Sequence, residues 1–394
     1  EVPMLSGPGT WEFDSMKWVQ DYKLNPATMF VACGKALAGN LSAILDIPAS
    51  VIDSALGQLG KQYLDNPYHN ATHGVDVASS SVFLLGALGM GLEDCRGRSP
   101  TGSHAPSSRS GPPDDLRSTM ELERCTMVLA GLGHDVGHPG QNNAFLVRSR
   151  DPIALRYNDI AVLESYHAST SVWIFEKKGI WKNTTTEVHR FMVKLIVDAI
   201  LATDMSQHFN FIEQIKARKA ADNPFSVTSD SDRRTLQKMT IKCADLGHSS
   251  KPWHVHRVWS QLVTDEFYTQ GDMERERGFP VTDIMDRTTG NVPKSQQGFL
   301  RFVCMPLFTL ASQCTALKDI KEHCLENMEN NINQWRQLEE QDMNPPESGH
   351  IPVVVEEEDE SVERVEAPQA RRTFFGRLQV FRPHDQPPQQ SPGA

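Results

Sequence analysis

Residues 133–140 read GHDVGHPG and place His134, Asp135 and His138 within five consecutive positions. A neutral imidazole and an ionised carboxylate are both good ligands for a divalent metal ion. Because consecutive side chains on an α-helix point about 100° apart, His134 and Asp135 can reach one metal ion only where a helix ends. The apolar run at 127–132 predicts a buried helix, and the glycines and proline that follow predict its end. The alternative is an ordinary helix C-terminus at which both side chains hydrogen-bond only to nearby backbone groups.

The apolar residues recur at helical spacing, and no run alternates between apolar and polar residues for long enough to build a sheet. Thr184 and Glu187 form a capping-box signature, and Ser229 is a second helix-starting residue. The polar stretch 271–293 contains several glycines and prolines and indicates a long mobile loop. Helical patterns cover about residues 11–64, 73–92, 116–133, 160–177, 184–203, 229–245, 254–270, 296–314 and 320–338. We therefore predict an all-α fold.

One segment inside the main domain has a composition unlike its surroundings. Residues 96–115 are rich in Ser, Pro, Gly and Arg. They have too little apolar surface to offset the entropy of ordering. We predict a main domain at 1–343 that contains a disordered insert at about 96–115.

The last part of the chain, residues 344–394, predicts a disordered tail that is first acidic and then basic. Phe374, Leu378 and Phe381 lie at helical spacing among arginines. The segment 371–382 is therefore a candidate contact for a protein partner or for an anionic membrane surface. The alternative is a solvated tail without a partner.

Charge and cysteine content exclude several classes of protein. The formal net charge of −11 argues against binding to nucleic acid, which requires basic surface. The seven cysteines are scattered and form no C-x-x-C pair, which favours reduced thiols and an intracellular, cytoplasmic location. No apolar run approaches the roughly 18 residues of a transmembrane helix. Because the chain begins with Glu1 rather than Met, we expect a fragment whose missing regions can carry regulation or membrane association.

His, Asp and Glu side chains are concentrated in four clusters, each near a predicted helix. The clusters are His69 with His73, His134 with Asp135 and His138, Glu164 with His167, and Asp245 with His248. The spacing of His69 and His73 predicts that both lie on one helical face. Four such clusters are what a two-metal site in a helical protein requires.

The chain resembles the catalytic domain of class I 3′,5′-cyclic nucleotide phosphodiesterases over about residues 11–341. The resemblance rests on YHNATH at Tyr68, HDVGHPGQNN at His134, YND at Tyr157, LESYH at Leu163, LATDMSQH at Leu201, KCADLGHSSKP at Lys242, QGDMERERG at Gln270 and KSQQGF at Lys294. It implies a compact, HD-domain-like bundle of about sixteen helices with a deep metal-containing pocket. It also implies hydrolysis of cyclic AMP, cyclic GMP or both to the 5′-monophosphates.

Carried over residue by residue, the resemblance implies a two-metal centre. Its zinc ligands would be His73, His134, Asp135 and Asp245. A second ion, magnesium or manganese, would contact Asp135 and waters held by His138, Glu164, His167 and Asp204. A hydroxide bridging the two ions would attack the cyclic phosphorus in line with O3′, and His69 would protonate that leaving oxygen. Two imidazoles and two carboxylates suit zinc, and a water-rich oxygen site suits magnesium. For Asp204, support of His69 is a second implied role, and capping a helix end is the alternative.

The resemblance also implies a purine pocket. Gln296 would offer its amide to the purine edge, and Val263 and Phe299 would contact the two faces of the ring. The remaining residues assigned to the pocket are Tyr68, Met205, Leu246 and His248. Without the resemblance, Val263, Phe299 and Met205 would be read as core residues and Gln296 as a helix-surface residue.

Two positions depart from the pattern of the family. Gly137 stands where many members carry an acidic residue, which removes a charge next to the second metal ion. His248 stands where several cyclic AMP-selective members carry Asn. Because an imidazole can donate or accept a hydrogen bond depending on its tautomer, His248 leaves the nucleotide preference open. Our expectation is dual specificity with a preference for cyclic AMP.

Two other functions remain open from the sequence. One is a different helical His–Asp metal phosphohydrolase, for example one that acts on nucleoside triphosphates. The other is a catalytically inactive cyclic-nucleotide sensor or scaffold that has kept the fold. Homodimerisation is compatible with the sequence but is not specified by it.

Overall fold

The computed structural model describes residues 7–21, 23, 25–90, 114–314 and 319–343, and no β-strand occurs within these ranges. The predicted all-α class is confirmed. The described residues form sixteen α-helices: α1 (Ser15–Asp21), α2 (Pro26–Ala38), α3 (Leu41–Ile44), α4 (Ala49–Gly60), α5 (Ala71–Leu85), α6 (Asp114–Gly133), α7 (Asn143–Arg148), α8 (Pro152–Arg156), α9 (Val162–Lys178), α10 (Thr186–Leu201), α11 (His208–Ala220), α12 (Asp230–Asp245), α13 (Trp253–Glu276), α14 (Val292–Phe299), α15 (Met305–Ser312) and α16 (Glu326–Met343). Short 3₁₀ turns lie at Met205–Gln207, Gly247–Ser250 and Asp283–Met285, and π-helical turns at Gly86–Met90, Leu300–Cys304 and Ile320–Leu325.

Helices α5 and α6 pack against each other in the core and bring two histidines into proximity. Helix α5 also contacts α2 and α12, and α6 also contacts α2 and α10. The run at 127–132 is fully buried within α6, as the sequence predicts. A Cβ atom on Gly131 would lie only 2.9 Å from the Cα of Ala78, so the missing side chain permits the close approach of the two helices. Because α6 ends at Gly133, this approach places His134 beside α5.

The segment Ala71–Met90 is the one candidate membrane span among the described residues, by length and apolar composition alone. It was not expected from the sequence, because His73 and Asp76 interrupt the apolar run. The π-helical turn Gly86–Met90 extends α5 to 20 residues, and 78% of the span is buried inside the fold. This burial and the polar residues in the span identify it as a core helix.

Two sequence-based boundaries were wrong. Helix α13 does not stop near residue 270 but continues to Glu276, so the predicted loop at 271–293 is shorter. Gly271 lies inside the helix, and a Cβ atom there would lie 1.9 Å from the carbonyl oxygen of Met285, so only glycine lets that turn pack against α13. The cap of α10 is Thr185 rather than Thr184, and its hydroxyl accepts a hydrogen bond from the Val188 N–H at 3.3 Å.

Two other sequence-based assignments fall largely outside the described residues. Most of the predicted insert at 96–115 lies there, but its last two residues, Asp114 and Asp115, belong to α6. The predicted tail at 344–394, including the segment 371–382, lies entirely outside them. Both assignments therefore stay predictions.

Candidate active site

Four side chains from three parts of the fold converge on one point. His73 lies in the first turn of α5, His134 and Asp135 directly follow α6, and Asp245 is the last residue of α12. One ligand atom from each of the four lies within 4.8 Å of the ligand atoms of the others. The fold therefore brings together the four predicted metal ligands, which we call the His–Asp cluster, although His73 and Asp245 are 172 positions apart in sequence.

The arrangement of lone pairs in the His–Asp cluster fits a metal ion. Nδ1 of His134 lies 2.8 Å from the carbonyl oxygen of Gly131 and donates to it, so Nε2 of the neutral ring carries a lone pair. That Nε2 is buried without a hydrogen-bond partner and lies 2.9 Å from Asp135 Oδ2 and 3.2 Å from Asp245 Oδ1. Burial lowers the pKa of His134, but the two carboxylates outweigh it and raise the pKa well above its usual value. The site therefore attracts positive charge, which a divalent cation supplies.

Contacts close to each residue position His73 and keep Asp245 ionised. The side chain of Asn70 caps α5 by accepting from the backbone N–H groups of Thr72 and His73 at 2.8 and 3.3 Å. This cap fixes the first helical turn, from which His73 projects. In Asp245, burial raises the pKa, but the interactions of the carboxylate with His134 and His73 outweigh it and hold the pKa below its usual range. Asp245 is therefore ionised, as a metal ligand must be.

His69 and His73 do not share a helical face, so that prediction was wrong. His69 precedes Asn70, the cap of α5, and therefore lies outside the helix. Its ring stacks on that of His138, with centroids 3.9 Å apart, and its Nδ1 contacts Oε1 of Glu266. The two histidines of this motif thus have different surroundings, one at the His–Asp cluster and one beside it.

Glu266 of α13 contacts a predicted site residue but was not identified from the sequence. It is buried, and its Oε2 accepts from the backbone N–H groups of Tyr68 and His69 at 3.0 and 3.1 Å. Burial lowers the pKa of His69, but the charge and hydrogen bond of Glu266 outweigh it, and the net pKa is raised. Because Nδ1 contacts Glu266, Nε2 is the ring nitrogen of His69 that remains for other contacts. The available signal was an acidic residue seven positions after Trp259, a spacing that places both on one face of the predicted helix.

Of the residues predicted around a second metal ion, His167 lies next to Asp135. Nδ1 of His167 donates to the carbonyl oxygen of Val136 at 2.8 Å, which leaves a buried Nε2 without a hydrogen-bond partner, 3.7 Å from Asp135 Oδ1. Burial raises the pKa of the Glu164 carboxyl, which accepts hydrogen bonds from an asparagine amide at 2.9 and 3.2 Å. Nδ1 of His138 accepts from a backbone N–H at 3.0 Å.

Asp204, the fourth of these residues, forms the local contact that was considered as its alternative role. Its carboxylate accepts from the backbone N–H and the hydroxyl of Ser206, each at 2.8 Å, and so caps the 3₁₀ turn Met205–Gln207. The carboxylate is nevertheless buried. A role in holding metal-bound water stays a prediction for Asp204.

The residues assigned to the purine pocket differ in burial. Tyr68, Leu246, His248 and Gln296 are buried, and Val263 packs in one apolar cluster with Tyr68 and Trp259. Oε1 of Gln296 accepts a long hydrogen bond, 3.4 Å, from the hydroxyl of Ser260. Phe299 is half-buried against the main core. Met205 is 43% exposed, so it does not fill a gap in the core.

Steric contacts explain why glycine occupies position 137, where the chain departs from the family pattern. Gly137 has φ +76°, and a Cβ atom on it would lie 2.9 Å from both Cε1 and the hydroxyl oxygen of Tyr166. The left-handed conformation and the ring contact both disfavour any side chain. An acidic residue at position 137 would require Tyr166 to move.

We predict that Gly137→Ala destabilises the protein by about 2–4 kcal/mol, from left-handed strain plus the contact with Tyr166. Gly179→Ala is a matched control, because Gly179 also has φ +76° but its nearest potential contact is 3.8 Å away. The control variant should lose only about 1–2 kcal/mol. Urea unfolding of both variants measures the difference. Equal losses would show that Tyr166 adjusts without cost.

The fold and the site together define a helical protein with a candidate His–Asp metal centre. Residues 68–328 match the family of 3′,5′-cyclic nucleotide phosphodiesterases. The chain belongs to this family. The resemblance stated from the sequence motifs is thereby confirmed.

Named relatives agree with this assignment. The chain is 36% identical, over 83% of its length, to the dual 3′,5′-cyclic-AMP and -GMP phosphodiesterase beta of Plasmodium falciparum, and the match covers 27% of that protein. It is 35% identical, over 71% of its length, to a probable 3′,5′-cyclic phosphodiesterase of Caenorhabditis elegans, of which the match covers 42%. The chain thus spans less than half the length of either relative.

Solved structures share the fold. LmjPDEB1 in complex with IBMX matches 86% of this chain and 95% of its own, with a TM-score of 0.72 and 23% identity. The phosphodiesterase domain of the Salpingoeca rosetta rhodopsin phosphodiesterase matches 85% of this chain and 92% of its own, with a TM-score of 0.69 and 24% identity.

Proposed function

We propose that this chain hydrolyses 3′,5′-cyclic nucleotides to 5′-nucleoside monophosphates. The observation that carries the proposal is the convergence of the His–Asp cluster beside the His69–Glu266 pair, in a member of the cyclic nucleotide phosphodiesterase family. Collecting these buried polar groups in one place costs stability unless they bind something, so a catalytic use accounts for their presence. The names of the relatives favour the same reaction.

The His–Asp cluster would hold zinc, because two imidazoles and two carboxylates are typical zinc ligands. A magnesium or manganese ion would lie beside Asp135, where Glu164 and His167 offer an acidic group and an unpartnered ring nitrogen that suit a water-rich site. When bound, the two ions would supply an activated water nucleophile and offset the charge of the phosphate. The protein contributes the fixed positions of the ligands.

His69 would act as the general acid. Its Nδ1 contacts the Glu266 carboxylate, so the ring is held with Nε2 free to protonate the leaving O3′. The raised pKa of His69, caused by Glu266 against the opposing effect of burial, keeps the ring protonated to higher pH. Two backbone N–H groups donate to the same carboxylate and hold it in place. A proton is thereby available where negative charge develops on the leaving oxygen.

The purine would bind between Val263 and Phe299, with its edge on Gln296. Val263 adjoins Tyr68 in one apolar cluster, and Gln296 is held on one side by Ser260. A side-chain amide can present both a donor and an acceptor, which suits adenine and guanine edges. We propose dual specificity with a preference for cyclic AMP. The name of the Plasmodium falciparum relative supports dual use.

One assay tests the reaction and separates the rivals. The protein is incubated with cyclic AMP, cyclic GMP and nucleoside triphosphates, with and without a metal chelator, and the products are identified by chromatography. We expect both 5′-monophosphates and loss of activity with chelator. Hydrolysis of triphosphates alone would favour the other phosphohydrolase, and no turnover would favour a sensor or scaffold.

We predict that His69→Ala lowers kcat by about 10²–10⁴-fold, the usual contribution of a general acid, while metal content stays unchanged. His69 is not part of the His–Asp cluster, so its removal leaves the four ligands in place. The control is His254→Ala, because His254 is an exposed residue of α13. Steady-state kinetics and elemental analysis are measured on the same preparations. Loss of metal together with activity in His69→Ala would contradict the assigned role.

A cytoplasmic location is a further proposal. The described residues contain six free cysteines, all of them at least half-buried. Burial raises the pKa of Cys33 to about 12 and that of Cys125 to about 11, so these thiols are unreactive in a reducing compartment. Three further predictions from the sequence stay proposals. They are a catalytic domain at 1–343, a homodimer, and a contact of the segment 371–382 with a protein partner or a membrane.

A further inference from the structure

Three buried rings from three elements form a hydrogen-bonded relay that ends beside the purine pocket. Trp335 belongs to α16, His256 to α13 and His248 to the turn Gly247–Ser250. Nε1 of Trp335 lies 2.8 Å from Nε2 of His256. An indole N–H can only donate, so Nε2 of His256 must accept and carries no hydrogen. The neutral His256 therefore has its hydrogen on Nδ1.

The hydrogen on His256 determines which nitrogen of His248 is protonated. Nδ1 of His256 lies 3.2 Å from the carbonyl oxygen of His248 and 3.3 Å from its Nδ1. The two rings are nearly parallel, at 13°, but their centroids are 5.4 Å apart, which indicates an edge-to-edge approach rather than face contact. If Nδ1 of His248 also carried a hydrogen, two N–H groups would face each other. The neutral His248 therefore carries its hydrogen on Nε2.

The surroundings favour neutral rings. His248 and His256 are 5% and 0% exposed. Burial lowers the pKa of His256 to about 4 and, together with the neighbouring His256 and His73, lowers that of His248 well below its usual range. The Asp245 carboxylate acts in the opposite direction on His248 but does not outweigh these effects. A doubly protonated His248 would also point its Nδ1–H at the hydrogen on His256.

We propose that His248 presents a fixed N–H donor to the purine, and that His256 and Trp335 are positioning residues that select this tautomer. The hydrogen bonds of the described residues leave Nε2 of His248 without a protein partner. The same network reaches the predicted purine-edge residue, because the Ser260 hydroxyl lies 3.4 Å from His256 Nδ1 and 3.4 Å from Gln296 Oε1. The identity of the ligand rests on the proposed function; the tautomer does not.

A fixed donor has a defined chemical preference. It recognises an acceptor of the base, which is a ring nitrogen or a carbonyl oxygen, and it disfavours an exocyclic amino group at the same place. The sequence left both hydrogen-bonding roles open for His248, and the relay selects one of them. Replacing Trp335 by Phe removes the N–H at the start of the relay and keeps an aromatic ring in the core.

The tautomer is tested without substrate, by ¹⁵N NMR of the full chain labelled at histidine. We expect an unprotonated Nδ1 and a protonated Nε2 for His248, and a mixture of tautomers in Trp335→Phe. Trp253→Phe is the matched control, because Trp253 packs against Trp335 at 4.9 Å between centroids but is not part of the relay. A protonated Nδ1 in the unaltered protein, or no change in Trp335→Phe, would overturn the relay.

The purine contact is tested with cyclic AMP analogues in which CH replaces N1, N3 or N7. We expect one analogue to lose about 10-fold in kcat/KM, as for a missing hydrogen bond to a buried donor. This discrimination should shrink at least threefold in Trp335→Phe and persist in Trp253→Phe. Equal turnover of cyclic AMP and all analogues would overturn the purine contact but leave the hydrolase intact. Absence of any cyclic nucleotide turnover would instead refute the proposed function, and the NMR measurement would still decide the relay.

Discussion

The Asp245→Ala variant is expected to bind less metal and to lose more than about 100-fold in kcat/KM. Removing a group that only supports a metal ligand already costs about 10–100-fold, so the loss of a ligand should cost more. Asp245 Oδ1 lies 3.2 Å from Nε2 of both His73 and His134, so its removal leaves Asp135 as the one carboxylate of the His–Asp cluster. Elemental analysis and steady-state kinetics with cyclic AMP measure the two effects.

Thermal unfolding separates loss of metal from loss of fold. A bound metal stabilises the folded protein by mass action, so chelator should lower the Tm of the unaltered protein but leave that of Asp245→Ala nearly unchanged. Asp198→Ala is the control, since Asp198 pairs with Lys194 on the surface of α10 and contacts no site residue. Full metal content and a chelator-sensitive Tm in Asp245→Ala would contradict the assignment of the His–Asp cluster.

Local features of the fold were predictable because their causes are local. Ser229 caps α12 by accepting from the Asp232 N–H at 3.4 Å, as its residue type predicts, and α12 ends at Asp245 as expected. The apolar run at 127–132 is buried because its side chains have no other favourable environment. The set of metal ligands could not be predicted in this way. Sequence spacing does not show that His73 and Asp245 lie at one site, and that prediction came from the family resemblance.

The features that were missed depend on contacts between distant segments. Gly271 is typical of a helix stop, but it lies within α13, where its missing side chain makes room for the turn at Met285. The i, i+4 spacing of His69 and His73 indicates one helical face, but Asn70 caps the helix between them. Glu266 contacts His69 from 197 positions away, which no local pattern encodes. In each case a tertiary contact overrides a local rule.

The histidines of the site differ in the partner that their Nδ1 atom contacts. His134 and His167 donate Nδ1–H to backbone carbonyls, so their Nε2 lone pairs face Asp135. Nδ1 of His138 accepts a backbone N–H instead. Nδ1 of His69 contacts a carboxylate, which favours a charged ring. We therefore propose that the neighbour of Nδ1 decides whether a histidine of this site binds metal, supports the site or transfers a proton.

This dependence leads to a pH prediction for Glu266→Gln. The Glu266 carboxylate raises the pKa of His69 against the effect of burial, so its removal should lower that pKa. A general acid must be protonated, and activity is lost as pH rises through its pKa. The alkaline limb of the kcat profile should therefore move to lower pH. At neutral pH we expect kcat to fall by about 10–1000-fold, within the whole contribution of a general acid.

Asp265→Asn is the matched control, because Asp265 is the adjacent carboxylate on α13 but is exposed, and it accepts a hydrogen bond from the Gln261 amide rather than from a site residue. Its pH profile should equal that of the unaltered protein. The metal content of the His–Asp cluster should also stay unchanged in Glu266→Gln, since Glu266 groups with His69 and His138 rather than with the four residues of that cluster. A uniform loss of kcat without a shift of the alkaline limb would mean that Glu266 only orients the ring. An unchanged kcat would refute His69 as the acid that Glu266 controls.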